Sequence, residues 1–156
     1  MFHIWYMQRI AIFPGSFDPF TVGHADIAQR GANVFDKLII AFGKNTNKQR
    51  YIPIEQVTDN VNDLYKNNPK IEVQIYEGLT ANFAKKVNAN FLVRGLRNTT
   101  DFEYENTISQ GNKHLNSELE TVFLITDPKL AYISSSIVRE IHRHGGDVTP
   151  FLPYSL

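Results

Sequence analysis

The sequence predicts a single α/β domain: a Rossmann-like, doubly wound sheet of about five parallel strands with helices on both faces. Three observations predict it. Short β-rich runs alternate with stretches of helical period, several of those runs are apolar enough for burial on both faces, and no repeat, low-complexity segment or linker divides the 156 residues. Such alternation implies right-handed crossovers and places ligands at the carboxyl ends of the strands.

Residues 1–6 read as an N-terminal extension before a domain of residues 7–156, although Phe2-His3-Ile4-Trp5-Tyr6 would equally suit an extra edge strand. Arg9 to Phe13 is the first strand, and a helical run from Ala25 to Phe35 follows its loop. Lys37 to Phe42 is the second strand. After Pro53, a residue suited to a first helical turn, Ile54, Val57, Val61 and Leu64 hold a 3.6-residue spacing. Ile71 to Tyr76 is the third strand, and Leu79, Phe83 and Val87 repeat the helical pattern. Asn90 to Arg94 and Glu120 to Thr126 complete the strands, serines near position 134 open a last helix, and Gly145-Gly146 is the sharpest break.

A hydrophobic content of 42%, with 12% aromatics, is enough to bury a core in one domain. The absence of cysteine excludes disulfides, thiolate metal sites and thiol nucleophiles, and it suits a reducing compartment, so a cytoplasmic location is expected. No apolar run approaches the ~20 residues of a membrane span, and Met1 to Tyr6 lacks the basic start of a signal peptide. Sixteen basic and sixteen acidic residues cancel, which argues against a nucleic-acid partner and requires any anion to be held by a local site.

The most informative stretch is Pro14-Gly15-Ser16-Phe17-Asp18-Pro19-Phe20-Thr21-Val22-Gly23-His24, between the first strand and the first helix. Gly15 lets backbone amides approach a ligand, Ser16 adds a hydroxyl, and the helix directs unpaired N–H groups and its positive end at the same space. Phosphate is the natural occupant. Gly23 allows close approach beside His24, whose imidazole would donate a hydrogen bond to a phosphate oxygen. The glycine spacing fits neither G-x-G-x-x-G nor a Walker loop. Two more clusters follow strands: Arg94-Gly95-Leu96-Arg97, with guanidinium groups able to fork onto phosphate, and Ile133-Ser134-Ser135-Ser136-Ile137-Val138-Arg139, with hydroxyls and amides at a helix start. A surface salt-bridge pair and a serine-rich cap are the bland readings of these two. All three clusters nonetheless lie at strand exits.

On these pieces, together with Asp101-Phe102-Glu103-Tyr104-Glu105, the chain resembles the phosphopantetheine adenylyltransferase family, within the nucleotidyltransferases that carry H-x-G-H or T-x-G-H. The resemblance runs from about Met7 to Pro153. It implies that Ser16 and Phe17 meet substrate and ATP, that His24 holds the transferring phosphoryl group, and that Lys48 contacts the acceptor's phosphate. Thr80 and Arg94 would face phosphopantetheine. Gly95, Leu96, Arg97 and Glu105 would line the ATP site, and Leu130, Ala131, Tyr132, Ile133, Ser134, Ser135 and Ser136 would enclose adenine and reach its phosphates. Catalysis would rest on His24, Lys48, Arg97 and Ser16. The resemblance further implies Mg²⁺ carried with ATP rather than a dedicated metal site, coenzyme A as a feedback ligand, and a homo-oligomer, a hexamer of paired trimers.

The chain departs from the family in places. Ser16 replaces a commoner Thr, Gln49 a second basic residue, Thr80 a larger apolar residue and Val57 a frequent Arg, and Leu156 falls short of the usual terminal helix. In the implied reaction 4'-phosphopantetheine attacks the α-phosphorus of ATP. A phosphate monoester with a second pKa of ~6 is largely dianionic at neutral pH, so no general base is needed. Two rival readings remain at this stage: a nucleotidyltransferase with another phosphorylated acceptor, and a non-enzymatic nucleotide-sensing module.

Overall fold

Strand β1 (Ile10–Gly15) feeds helix α1 (Val22–Val34). The pattern then repeats through β2 (Lys37–Gly43), α2 (Ile54–Tyr65), β3 (Ile71–Tyr76), α3 (Thr80–Lys86), β4 (Phe91–Leu96), α4 (Thr99–Leu115), β5 (Glu120–Ile125) and α5 (Ser135–Arg143). A computed structural model describes residues 7–45 and 47–156, so the expected extension over residues 1–6 lies outside the described residues. All strand pairs are parallel, in the order β3-β2-β1-β4-β5. The chain therefore winds outward from β1 in both directions, the doubly wound topology predicted from the sequence.

Alternate residues of the strands supply two cores. Ala11, Phe13, Leu38, Ile40 and Val93 pack with Ile27 and Ala28 of α1 and Val57 and Val61 of α2. Ile12, Ile39, Ala41 and Leu92 point the other way, onto Ala81, Phe83 and Ala84 of α3. This explains why the central strands read as unbroken apolar runs: both faces are covered. Val138 of α5 closes a smaller cluster with Ile133, Val148 and Leu152.

Several boundaries differ from the sequence expectation, each for a physical reason. β1 continues through Pro14 and Gly15, which pair with Ala41 and Phe42. Pro14 has no N–H to give, but its carbonyl faces the β4 side, where no strand partner remains to miss the donor. β4 runs on to Leu96, which pairs with Ile125, so Arg94 lies within the strand and not at its end. α1 begins three residues before the expected start because Thr21 caps it, bringing Gly23 and His24 into the first turn. Leu64 is exposed, and Tyr65, three full turns from Ile54, takes the inward position instead. Pro53 stands at the N-cap of α2, immediately outside the helix. α4 buries Glu105 alone among its residues.

Candidate active site

The site begins as a gap in the sheet. β1 and β4 pair only at Ala11–Phe91 and Ile12–Leu92, then part, whereas β1 stays with β2 as far as Gly15–Phe42 and β4 with β5 as far as Leu96–Ile125. This is the point where strand order reverses, and the separating carboxyl ends leave a cleft of about 270 Å³. Arg94 spans the gap. Its Nη1 donates to the Pro14 carbonyl, while Nε donates to Oε2 of Glu105 at 2.7 Å and Nη2 to Oε1. Glu105 is the one buried residue of α4, so this ion pair also docks the helix.

His24 occupies the third position of α1 and completes a reciprocal cap with Thr21. The Thr21 N–H donates to His24 Nδ1 at 2.9 Å, and the Thr21 hydroxyl accepts from the His24 N–H at 3.4 Å. Because Nδ1 accepts, the ring proton belongs on Nε2, leaving that N–H as the donor available to a ligand. The rings of Phe17, Phe20 and Phe13 surround the imidazole at centroid distances of 5.0, 5.5 and 6.3 Å. Burial first, then the positive charges of Arg94 and Arg97, lowers its pKa to about 3. His24 is therefore a neutral, oriented hydrogen-bond donor at physiological pH.

The loop from Pro14 to Thr21 is held from several sides. The Phe17 ring is 3% exposed and folds over Gly15, where an added Cβ would come within 2.7 Å of it. Phe17 thus serves packing through its side chain, and only its backbone is left for a ligand. Ser135 Oγ donates to the Pro19 carbonyl at 2.8 Å, Arg139 Nη1 to the Asp18 carbonyl at 2.6 Å, and the Phe20 N–H to the Tyr154 hydroxyl at 3.2 Å. The serine segment expected to meet ATP is thereby joined to the first loop. Leu130, Ile133, Ser134 and Ser135 line the cleft, whereas Ala131, Tyr132 and Ser136 do not, and Tyr132 and Ser136 are exposed. Ser134 caps α5 by accepting from the Ile137 N–H at 3.2 Å.

The other expected residues divide among three adjoining clefts. Arg97 lines the first, held by Asp101 through Nε at 2.9 Å and Nη2 at 3.0 Å, a contact that keeps the Asp101 carboxyl below its usual range. Its remaining N–H groups are still donors. Gly95 lines the same cleft, and a Cβ there would meet Ile27 of α1 at 2.9 Å, which is why the position takes glycine. Leu96 is buried and lines none of the three. Gly23 is the contrary case: a Cβ would make only an ordinary 3.6 Å contact with Thr21, so packing within the chain does not demand glycine there. Thr80 lies in a second cleft, bonded to the Tyr76 hydroxyl at 2.9 Å, beside Arg94 and Tyr104. Lys48 lies in a third, basic groove with Arg50, Arg139 and Arg143. Ser16 lines all three.

The cytidylyltransferase-like family pattern matches residues 12–141 of the chain. The chain is also 57% identical to the phosphopantetheine adenylyltransferase of Cytophaga hutchinsonii, over 96% of this chain and all of that one. The chain belongs to the phosphopantetheine adenylyltransferase family. The Bacteroides thetaiotaomicron phosphopantetheine adenylyltransferase is 47% identical over 94% of this chain and 96% of its own. Among solved structures, a candidate nicotinate-nucleotide adenylyltransferase from Vibrio parahaemolyticus superposes with a TM-score of 0.65 at 17% identity, covering 94% of each chain. At that identity the likeness concerns the fold alone.

Sequence reasoning singled out Asp18 and Arg139 only as parts of motifs and passed over Arg50 and Tyr154. Arg50, Arg139 and Tyr154 bind backbone groups of the first loop, and Asp18 binds the backbone amides of Tyr51 and Ile52; such side-chain-to-backbone bonds leave no spacing to find in a sequence.

Proposed function

We propose that the chain transfers the adenylyl group of ATP to 4'-phosphopantetheine, forming dephospho-coenzyme A and releasing pyrophosphate. The observation that carries this reading is the convergence of three clefts on Ser16, beside His24. ATP would lie in the first, with adenine toward Leu130–Ser136. The pantetheine arm would follow the second past Thr80, and its phosphate would meet Lys48 at the mouth of the third. The acceptor phosphate is its own nucleophile, which suits a site whose first cleft is lined by the carboxylates Asp101 and Glu105, both held by arginines. Catalysis then consists of alignment and of stabilising charge as it moves from the α-phosphate to pyrophosphate. His24 Nε2–H and the α1 amides would face the α-phosphate, with Arg97 supplying positive charge beside them, while Lys48 holds the acceptor's phosphate for attack.

Among the described residues, no three His, Asp or Glu side chains gather as metal ligands. Mg²⁺ would travel with ATP, held mainly by its phosphates and by water. When bound, it neutralises phosphate charge. Coenzyme A, one phosphate larger than the product, would compete for the same clefts. No helix of the described residues is long and apolar enough to cross a membrane; a cytoplasmic location is part of the proposal. A homo-oligomer, in hexameric form, finds support in the poorly covered α4–β5 edge, where Phe102, Ile108, Leu115 and Ile125 are exposed. Light scattering giving a monomer mass at micromolar concentration would sink the assembly.

The experiment for the activity is incubation with ATP, Mg²⁺ and a panel of phosphorylated acceptors, with products identified by mass spectrometry. Dephospho-coenzyme A and pyrophosphate are expected, with ATP preferred over CTP. Product from a different acceptor, or no pyrophosphate at all, would overturn the reading.

A further inference from the structure

Lys48 sits on a turn whose next residues are cross-braced to the first loop. Arg50 donates from Nη1 to the Ser16 carbonyl at 2.6 Å, from Nη2 to the Phe17 carbonyl at 3.1 Å, and from Nε to the Ile52 carbonyl at 3.1 Å. Its side chain is 17% exposed, and Nη2 lies 3.9 Å from Asp18 Oδ1. Asp18 answers in the opposite direction, its two oxygens accepting from the backbone N–H groups of Tyr51 at 2.8 Å and Ile52 at 2.9 Å. Guanidinium to carbonyls and carboxylate to amides, the two segments hold each other reciprocally. The brace continues to α5, where the Tyr51 hydroxyl meets His142 Nδ1 at 2.6 Å and Arg143 lies over the Tyr51 ring at 5.1 Å.

The chemistry of this brace separates Arg50 from Lys48, although both are cations lining one groove. Arg50 turns its donors onto protein carbonyls, whereas Lys48, two residues earlier, is exposed. A planar fork of diverging donors reaches three carbonyls on two segments, and a single ammonium cannot reproduce that geometry. The carbonyls it holds belong to Ser16, shared by the three clefts, and to Phe17, whose ring abuts His24.

We propose that Arg50 is a positioning residue for the transfer, fixing the Lys48 turn against Ser16 so that the acceptor phosphate is presented to the nucleotide cleft in line. This rests on the function proposed above. In-line transfer is sensitive to placement, so loosening the turn should act on the acceptor and spare the nucleotide.

The test uses Arg50→Met and Arg50→Lys, with steady-state kinetics, ATP dissociation constants and hydrogen exchange on the same preparations. The KM for phosphopantetheine should rise by about ten-fold or more in Arg50→Met, with Arg50→Lys intermediate. The ATP dissociation constant should stay within about two-fold of wild type, and the amides of Tyr51 and Ile52 should exchange faster. Should Arg50→Met fail to fold, Arg50→Lys carries the test beside Tyr51→Phe, which frees the same segment from His142 and should raise the KM by a smaller factor. An unchanged KM in Arg50→Lys and Tyr51→Phe, or parallel changes in the acceptor and ATP constants, overturns the proposal. Both outcomes presuppose wild-type turnover with phosphopantetheine; its absence would overturn the functional reading together with the inference built on it.

Discussion

In the proposed function His24 and Lys48 both meet phosphate, yet they stand in opposite settings. His24 is enclosed by three phenylalanine rings, held by the Thr21 amide and neutral. Lys48 is exposed on a turn at the edge of a basic groove. A donor fixed before the ligand arrives has no reorganisation left to undergo, so its benefit falls where charge develops in the transition state. A mobile ammonium in water attracts an anion but gains little from geometry. In the proposed function the site would divide its work, with enclosed groups on the nucleotide side acting on rate and exposed groups on the acceptor side acting on affinity.

The largest effect tests the enclosed side. His24→Ala should lower kcat by about 10²–10³-fold with little change in ATP affinity, and Asn, which keeps a donor, should retain part of the activity. Single-turnover adenylylation and ATP binding on the same folded protein decide it. A loss confined to ATP affinity would erase the contrast with Lys48.

Arg94 sharpens the comparison because it is enclosed like His24 and charged like Lys48. Arg94→Ala leaves the buried Glu105 carboxylate unpaired and frees the β1 side of the gap. Removing one partner of a fully buried pair costs about 3–5 kcal/mol; with Arg94 partly exposed we expect about 2, together with weaker phosphopantetheine binding. Glu105→Gln in the same background should restore part of the stability, as measured by urea denaturation. No restoration would mean that Arg94 acts on the fold through the Pro14 carbonyl alone.

The same contrast governs what the sequence could disclose. β2 and β3 were legible because β-rich, largely apolar runs of strand length have one natural reading. The far end of β1 was not, because a proline in a strand is acceptable only where the neighbouring strand has left, a fact belonging to the tertiary structure. α4 gave no periodic signal, since it buries a carboxylate and no apolar stripe. Ser16, His24, Arg94 and Arg97 were legible through motif and strand exit. The brace between Asp18 and Arg50 was not, because its bonds fall on carbonyls and amides that any sequence possesses. Glycine is ambiguous in the same way: Gly95 is explained by Ile27, while no packing within the chain explains Gly23.

On the exposed side, Lys48→Ala should raise the KM for phosphopantetheine by about ten-fold and leave kcat nearly intact. Rising salt should shrink the difference between variant and wild type, since a solvated charge is screened. A salt-independent loss, or one seated in kcat, would place Lys48 with the enclosed groups.

The smallest expected effect concerns stability against pH and tests whether His24 is neutral at all. Its pKa is about 3 in the folded chain against 6.5 for an unperturbed histidine. Between those values the unfolded chain binds a proton at His24 that the native state refuses, so folding stability must fall as pH drops through 6.5 toward 3, and this contribution levels off below 3. The slope is at most about 1.4 kcal/mol per pH unit, and partial solvent access to the ring should hold it below that. Carboxylates and other histidines titrate in the same range, so the informative quantity is the difference from a variant lacking the group. His24→Gln serves because glutamine at the third helical position can accept from the Thr21 N–H without titrating. Wild type should therefore lose more stability than His24→Gln between pH 7 and pH 4.5 in urea titrations. Parallel losses would mean that the imidazole protonates in the folded state near its ordinary pKa, and His24 would then meet phosphate as a charge, the role proposed for Lys48.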